Sequence, residues 1–166
     1  MSELNLLSRS EVLSDSRPRA RSPLEPALAH ADDTLAIDDL SLSTGKLEVR
    51  GDVRGLDVDA EVVPITPTRA LVVCPVEESA EVSARLREQG YFVVDRWAAL
   101  AGVRVRGETL MRRLTDLDLD ELPSAGAVAH VRAVVLRDGD EFRIFFPQEY
   151  GHYLAEVVID AARGLS

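Results

Sequence analysis

The chain has 166 residues, 46% of them hydrophobic and 29% charged, which is typical of one folded domain with a buried core. Its net charge of −10 disfavours nucleic acid or an anionic membrane as the main partner, because both are polyanions. Cys74 is the only cysteine, so no disulfide forms within the chain, and the N-terminus lacks an apolar stretch of signal-peptide length. We therefore expect a cytoplasmic, reducing setting.

Residues 1–34 are expected to form an irregular arm rich in proline, serine and arginine. Three prolines close together argue against a helix or a central strand there, namely Pro18, Pro23 and Pro26. A basic cluster lies beside them, made of Arg17, Arg19 and Arg21. The arm either lies loosely over the surface or becomes ordered against acidic groups of a partner subunit.

The composition becomes globular from Leu35, and we predict a single α+β domain over residues 35–166. Lys46–Arg50 alternates polar and apolar residues and ends at Gly51, which predicts a strand followed by a turn. Apolar runs predict further strands, and amphipathic spacing predicts a helix. In chain order these are strands Glu61–Val63 and Arg69–Cys74, helix Glu77–Gln89 and strand Tyr91–Asp95.

The next segment combines a strand, a short helix and an acidic stretch. Val103–Arg106 alternates valine with arginine, which predicts a half-exposed strand, and Glu108–Leu114 places its apolar residues on one helical face. Four carboxylates then alternate with leucines between Asp116 and Leu122. Since the stretch lacks the glycine of a calcium-binding loop, it predicts a solvated face and no metal site.

Residues 126–165 form the clearest unit, a strand, turn, strand and helix. Ala127–Leu136 is predicted to be one long strand with His130 and Arg132 on the same face, and Asp138–Gly139 predicts a hairpin turn. The inward face of the returning strand consists of Phe142, Ile144 and Phe146. A helix is predicted from Gln148 to Arg163, with an apolar stripe formed by Tyr150, Tyr153, Leu154, Val157, Val158 and Ala161.

No motif in the sequence assembles an active site. No strand is followed by a glycine-rich phosphate loop. The three histidines have no metal-ligand spacing with one another or with Cys74; they are His30, His130 and His152. His152 is either a surface residue of the last helix or a general base whose reaction partner the sequence does not identify.

Several single residues have both a structural and a functional interpretation. Cys74 fits a buried strand position better than a reactive thiol. Trp97, the only tryptophan, fits a core or interface anchor. His130 and Arg132 line either a ligand-facing surface or an interface. Lys46 is the only lysine, which indicates the codon usage of a GC-rich genome and no functional role.

A family resemblance lies in five segments taken in order, which are Phe92–Asp95, Ala101–Gly107, Leu110–Leu119, Gly126–Val131 and Phe142–Leu154. The last of them is similar to the pattern FRLLVPRSFADYLW. On these segments the chain resembles the sarcosine oxidase gamma-subunit family, within the wider aminomethyltransferase (glycine-cleavage T-protein) group of folate-binding domains. The resemblance extends from Tyr91 to Leu165 and implies that group's α+β fold, a mixed or antiparallel sheet with helices packed on it.

The sequence departs from this group at two places that matter for chemistry. Arg96–Trp97 stands where the group has a serine after the position of Asp95. The chain also turns directly at Asp138–Gly139, where catalytic relatives carry a longer segment with an acidic pair. The resemblance therefore transfers no catalytic, cofactor-binding or metal-binding residue, and it implies a non-catalytic relative.

The resemblance implies a structural, gamma-type subunit of a heteromeric sarcosine oxidase-like amine oxidoreductase, with larger oxidoreductase subunits as its partners. Flavin, NAD and tetrahydrofolate would then be bound by those partner subunits and not by this chain. The alternatives are a stand-alone folate-binding module and a protein-binding adaptor that uses the N-terminal arm. The residues expected at an interface are Arg17, Arg19, Arg21, Trp97, His130, Arg132, Tyr150 and His152.

Overall fold

The computed structural model describes residues 20–31, 35 and 37–165. The helices in this part are α1 (Glu25–Leu28), α2 (Ser79–Glu88), α3 (Glu108–Leu114) and α4 (Gly151–Arg163). The strands are β1 (Ile37–Asp39), β2 (Thr44–Arg50), β3 (Glu61–Thr66), β4 (Arg69–Pro75), β5 (Phe92–Asp95), β6 (Leu100–Arg106), β7 (Ser124–Val128), β8 (Val131–Asp138) and β9 (Glu141–Pro147). Within these ranges, no helix is long and apolar enough to cross a membrane.

The strands form two antiparallel sheets. One has five strands in the order β1-β6-β9-β8-β7, and the other has four in the order β3-β4-β2-β5. This confirms the α+β class with antiparallel pairing. The division into two sheets does not follow from the sequence pattern, because a period of two identifies a strand but not its neighbour.

The two sheets pack face to face around a shared apolar core. Its buried side chains come from β3 and β4 on one side and mainly from β8 and β9 on the other, and include Val63, Leu71, Val73, Val134, Leu136 and Phe145. Helices α3 and α4 cover the outer face of the five-stranded sheet, and α2 covers that of the four-stranded sheet. The layers therefore run helix, sheet, sheet, helix, and each sheet is buried on both faces.

The predicted long strand over Ala127–Leu136 is wrong, because the chain reverses within it. Only two residues separate β7 from β8, and the two strands pair with each other. The turn residues Ala129 and His130 have φ of 48° and 66°, the left-handed conformation that tight hairpin turns require. Such a turn usually contains glycine or asparagine, and because this one contains neither, the sequence does not predict it. His130 consequently shares no strand face with Arg132.

The second hairpin lies where the sequence predicts it. Asp138 pairs with Glu141 across Gly139 and Asp140. Gly139 has a φ of 60°, which glycine adopts without steric cost. The following strand also has the predicted inward face, since Phe142, Ile144 and Phe146 are all buried under the helices.

The stripe predicted for the last helix is partly wrong. The buried residues of α4 include Leu154, Ala155, Val158 and Ile159. Tyr150 and Tyr153, which the stripe included, are 45% and 44% exposed. A 3₁₀ turn over Gln148–Tyr150 precedes α4, and because that turn has three residues per turn, the α-helical spacing does not extend back to Tyr150. Tyr153 lies within α4 but outside its buried face, and its hydroxyl donates to the carbonyl of Ala129.

Part of the predicted arm packs on the domain. Residues 25–28 form α1, and Leu24 and Ala27 are buried in the same core as α4. Pro26 is compatible with this helix, because a residue in the first turn needs no N–H for the helical hydrogen bonds. An irregular conformation is therefore wrong for residues 25–28.

Gly102 on β6 lies against the core between the sheets. A Cβ atom built there would lie 2.7 Å from Cε1 of Phe145 and 3.2 Å from Cβ of Leu40, and both neighbours are buried. Because a packed core adjusts only at a cost, glycine is required at this position by space.

We predict that Gly102→Ala lowers the free energy of unfolding by about 1–3 kcal/mol, since the added methyl overpacks the core. Urea denaturation measures the change. Gly55→Ala is the matched control, because no atom lies within 4 Å of a Cβ there, and its effect should stay within about 0.5 kcal/mol. Equal effects of the two substitutions would contradict the packing described here.

Candidate functional site

The candidate site is a cleft of about 160 Å³ between the two sheets. Its charged lining consists of Glu48, Arg69, Arg96 and Arg132. Its apolar lining includes Leu71, Leu100, Val134 and Phe145. The cleft thus combines a small set of charged groups with apolar walls, which is the usual composition of a ligand site.

Strand β2 places the acid of the cleft. Leu47 and Val49 pack in the core beneath α2, so the alternation of a strand directs Lys46 and Glu48 to the opposite face, between the sheets. Glu48 is buried in spite of its charge. Buried carboxylates need partners, and neighbouring arginines provide them.

Three arginines lie around the Glu48 carboxylate. Arg50 donates a hydrogen bond from Nε to Oε1 at 2.8 Å, and a terminal nitrogen of Arg69 lies 3.3 Å from the same oxygen. Nε of Arg96 is 3.8 Å from Oε2. Burial by itself would raise the pKa of Glu48, but the Arg50 hydrogen bond and the three positive charges outweigh it, so that pKa lies below its usual value.

Local structure brings these arginines together. Arg69 begins β4 and is directly opposite Arg50 in the pairing with β2. Arg96 follows β5, and its backbone N–H donates to the carbonyl of Lys46 at 2.8 Å. Arg132 comes from β8 in the other sheet. Charged groups from both sheets therefore meet at one cleft.

Two of these arginines have unused donors. Nε of Arg69 is buried and has no hydrogen-bond partner. The Arg132 side chain is exposed, and its guanidinium has no hydrogen-bond or ion-pair partner within residues 20–31, 35 and 37–165. An unpaired buried donor is uncommon and costs free energy. A hydrogen-bond acceptor bound in the cleft would therefore satisfy the Nε of Arg69.

Lys46 is the second buried charge between the sheets, and it is 0% exposed. Its Nζ donates to the carbonyl oxygens of Ser41 at 2.7 Å and Leu100 at 2.8 Å. Burial lowers the pKa of Lys46 to about 8, although the negative charges of Asp39 and Asp95 oppose the shift. The sequence did not predict that Lys46 is buried. The alternation of β2 separates its two faces, but it does not show that a second sheet covers the polar one.

The remaining predicted interface residues do not converge on the cleft. The indole Nε1 of Trp97 donates to the carbonyl of Leu42 at 3.1 Å, beside the cleft residue Arg96 in sequence. His152 is exposed and its Nε2 lies 3.2 Å from Glu156, which agrees with a surface residue. Arg21 is exposed. Arg17 and Arg19 lie outside the described residues.

Tyr153 connects the last helix to the hairpin turn that contains His130. The Tyr153 hydroxyl donates to the carbonyl of Ala129 at 3.2 Å, next to His130 in the hairpin turn. Tyr150 lies three residues before Tyr153 in the chain, in the 3₁₀ turn that precedes α4. We call His130, Tyr150 and Tyr153 the aromatic patch; all three are exposed.

Cys74 is buried, as the sequence predicts, with its Sγ 3.8 Å from Oγ of Ser79. Burial raises the pKa of its thiol, so it is not activated as a nucleophile.

The acids between Asp116 and Leu122 are exposed, and Asp118 caps a 3₁₀ turn over Leu119–Glu121. Among the described residues, no three His, Cys, Asp or Glu side chains are grouped to hold a metal ion.

We predict that the free energy of unfolding rises between pH 8 and 10.5 because of Lys46. In that range the unfolded chain keeps a proton that folded Lys46, with its pKa lowered from 10.5 to about 8, has lost. The contribution is on the order of 3 kcal/mol across the window. Urea denaturation of the natural chain and of Lys46→Met, at pH 8 and at pH 10, measures it.

Lys46→Met should be less stable at every pH, because two buried carbonyl oxygens lose their donor. Its free energy of unfolding should nevertheless lack the rise that Lys46 causes. The same pH slope in both proteins would exclude a buried, weakly basic Lys46.

Comparison with solved structures places this geometry in a known fold. The chain is similar to a chain of the heterotetrameric sarcosine oxidase from Corynebacterium sp. U-96 in complex with pyrrole 2-carboxylate, with a TM-score of 0.69 and 16% identity, covering 89% of this chain and 96% of that chain. It is also similar to the glycine cleavage system aminomethyltransferase T from Bartonella henselae, with a TM-score of 0.56 and 15% identity, covering 82% of this chain and 48% of that chain. No protein-family model and no curated protein matches the sequence. The structural likeness confirms the fold that the resemblance predicts, an α+β domain of the kind found in both of these proteins.

Proposed function

We propose that this chain is a non-catalytic, gamma-type subunit of a heteromeric sarcosine oxidase-like amine oxidoreductase. The observation that carries the proposal is the extent of the structural match, 96% of one chain of a heterotetrameric sarcosine oxidase and 89% of this chain. The two chains therefore correspond over nearly their whole lengths. By contrast, this chain spans about half of the aminomethyltransferase, which supports a separate subunit better than a complete aminomethyltransferase.

The two sequence departures support a non-catalytic role. Arg96 and Trp97 have structural partners, Glu48 and the carbonyl of Leu42. Strands β8 and β9 are joined by a tight turn at Gly139–Asp140, where catalytic relatives of the resembled group have a longer acidic segment. On this proposal, flavin, NAD and tetrahydrofolate belong to the partner subunits.

The aromatic patch is the surface we assign to the larger subunit. Tyrosine is enriched at protein interfaces, because its ring provides contact area and its hydroxyl a hydrogen bond. Tyr150 and Tyr153 are each nearly half exposed, and the Tyr153 hydroxyl reaches the hairpin turn at the carbonyl of Ala129. Phe92 is more exposed, at 63%, but it stands alone on the edge strand β5, and single exposed apolar residues are common on free surfaces.

Co-expression with the flavin-bearing large chain from the same genome tests the proposal. We expect one particle in size-exclusion chromatography that contains both chains and shows the visible absorbance of flavin. A chain that stays monomeric and does not associate would contradict the proposal. In that case, binding of folinic acid to the isolated chain would support the folate-binding alternative.

Substitution within the aromatic patch tests which surface is used. We predict that Tyr150→Ser weakens association with the large chain by roughly tenfold, because an interface tyrosine contributes well above the average contact. Phe92→Ser is the matched control, since it removes an exposed aromatic ring from the edge of the other sheet, and it should leave the affinity unchanged. The reverse order of effects, measured by surface plasmon resonance, would assign the interface to β5.

A further inference from the structure

We propose that the cleft between the sheets binds a small carboxylate with an apolar, single-ring body. The carboxylate would be held by Arg69, Arg96 and Arg132, and the ring would lie between the apolar walls. This is a ligand site within the chain itself, separate from the aromatic patch.

The charge of the cleft supports an anionic ligand. Three arginines and one glutamate line it, although the whole chain has a net charge of −10. Arg50, which does not line the cleft, already donates a hydrogen bond to Glu48 at 2.8 Å. The glutamate thus has its own partner, and the three lining arginines leave an excess of positive charge inside an acidic protein.

The donors of the cleft remain available. Each guanidinium has five N–H donors, yet Arg96 approaches Glu48 no closer than 3.8 Å, which is too long for a hydrogen bond. Nε of Arg69 is buried without an acceptor. Arg132 projects from the opposite sheet, in the part of the chain that the structure describes, without an ion-pair partner. A carboxylate between the sheets has about four acceptor sites on its two oxygens, enough to accept one charge-assisted hydrogen bond from each of the three arginines.

The walls and the size of the cleft favour an organic acid over an inorganic anion. Leucine, valine and phenylalanine side chains line it, including Leu71, Leu100, Val134 and Phe145. Its volume of about 160 Å³ is comparable to that of a protein cavity known to hold benzene, at about 150 Å³. Benzoate therefore represents the ligand class, with the ring against the walls and the carboxylate on the arginines.

Titration of the isolated full chain with benzoate tests the proposal. We expect a Kd of about 1 mM or tighter, and a shift of the ¹⁵N–¹H signal of Arg69 Nε when it gains an acceptor. Benzamide has the same shape without the charge, and inorganic phosphate has the charge without the ring, so both should bind at least tenfold more weakly. Failure here would leave complex formation with a large subunit untouched, because the measurement needs no partner.

Two substitutions and one control locate the site. Arg132→Gln should weaken benzoate binding roughly tenfold without affecting folding, since Arg132 is exposed and unpaired. Arg69→Gln should weaken benzoate binding at least as much. If Arg69→Gln does not fold, the result for Arg132→Gln alone still tests the site. The control Arg54→Gln removes an exposed arginine that pairs with Asp52 away from the cleft, and should keep full affinity.

Three results would overturn the proposal. The first is the absence of any shift with benzoate well above millimolar concentration. The second is equal binding of benzoate and benzamide, or of benzoate and phosphate, which would remove the role of the charge or of the ring. The third is an equal loss of affinity in Arg132→Gln and Arg54→Gln, which would place the anion on the general surface.

Discussion

The buried ammonium of Lys46 is the contact on which the arrangement of the two sheets depends. It extends from β2 of the four-stranded sheet and donates to the carbonyl of Leu100 on β6 of the other sheet, as well as to that of Ser41. Removing an ammonium from water costs several kcal/mol, so this position is tolerated only with its acceptors in place. The contact therefore links the positions of β2 and β6, and places Glu48, two residues further on the same strand face, at the cleft.

The cleft follows from that constraint. Glu48 is buried between the sheets, and the arginines that line the cleft with it come from elements far apart in sequence, with Arg69 on β4, Arg96 after β5 and Arg132 on β8. One carboxylate does not satisfy so many guanidinium donors. The apolar part of the same space holds the sheets together, while the charged part remains partly open.

The sequence predicts the local elements well and their assembly poorly. The Gly139 turn follows from Asp138–Gly139, and the inward face of β9 follows from Phe142, Ile144 and Phe146. The turn at Ala129–His130 has no strong local signal, because alanine rarely adopts positive φ and the turn contains no glycine or asparagine. The candidate site could not be predicted, since Lys46 and Glu48 look like the exposed face of a half-buried strand until a second sheet covers it. The family resemblance predicted the fold, but it did not predict a charged cleft between the sheets.

We propose that this chain associates with a larger oxidoreductase subunit through the aromatic patch. Amide hydrogen exchange of the chain, alone and with the flavin-bearing large subunit, tests the claim most directly, because protection reports which backbone becomes covered. We predict slower exchange at the hairpin turn of residues 129–130 and at residues 150–153, with the cleft strands β2 and β8 unchanged. Identical exchange across the chain with and without the large subunit would contradict the account.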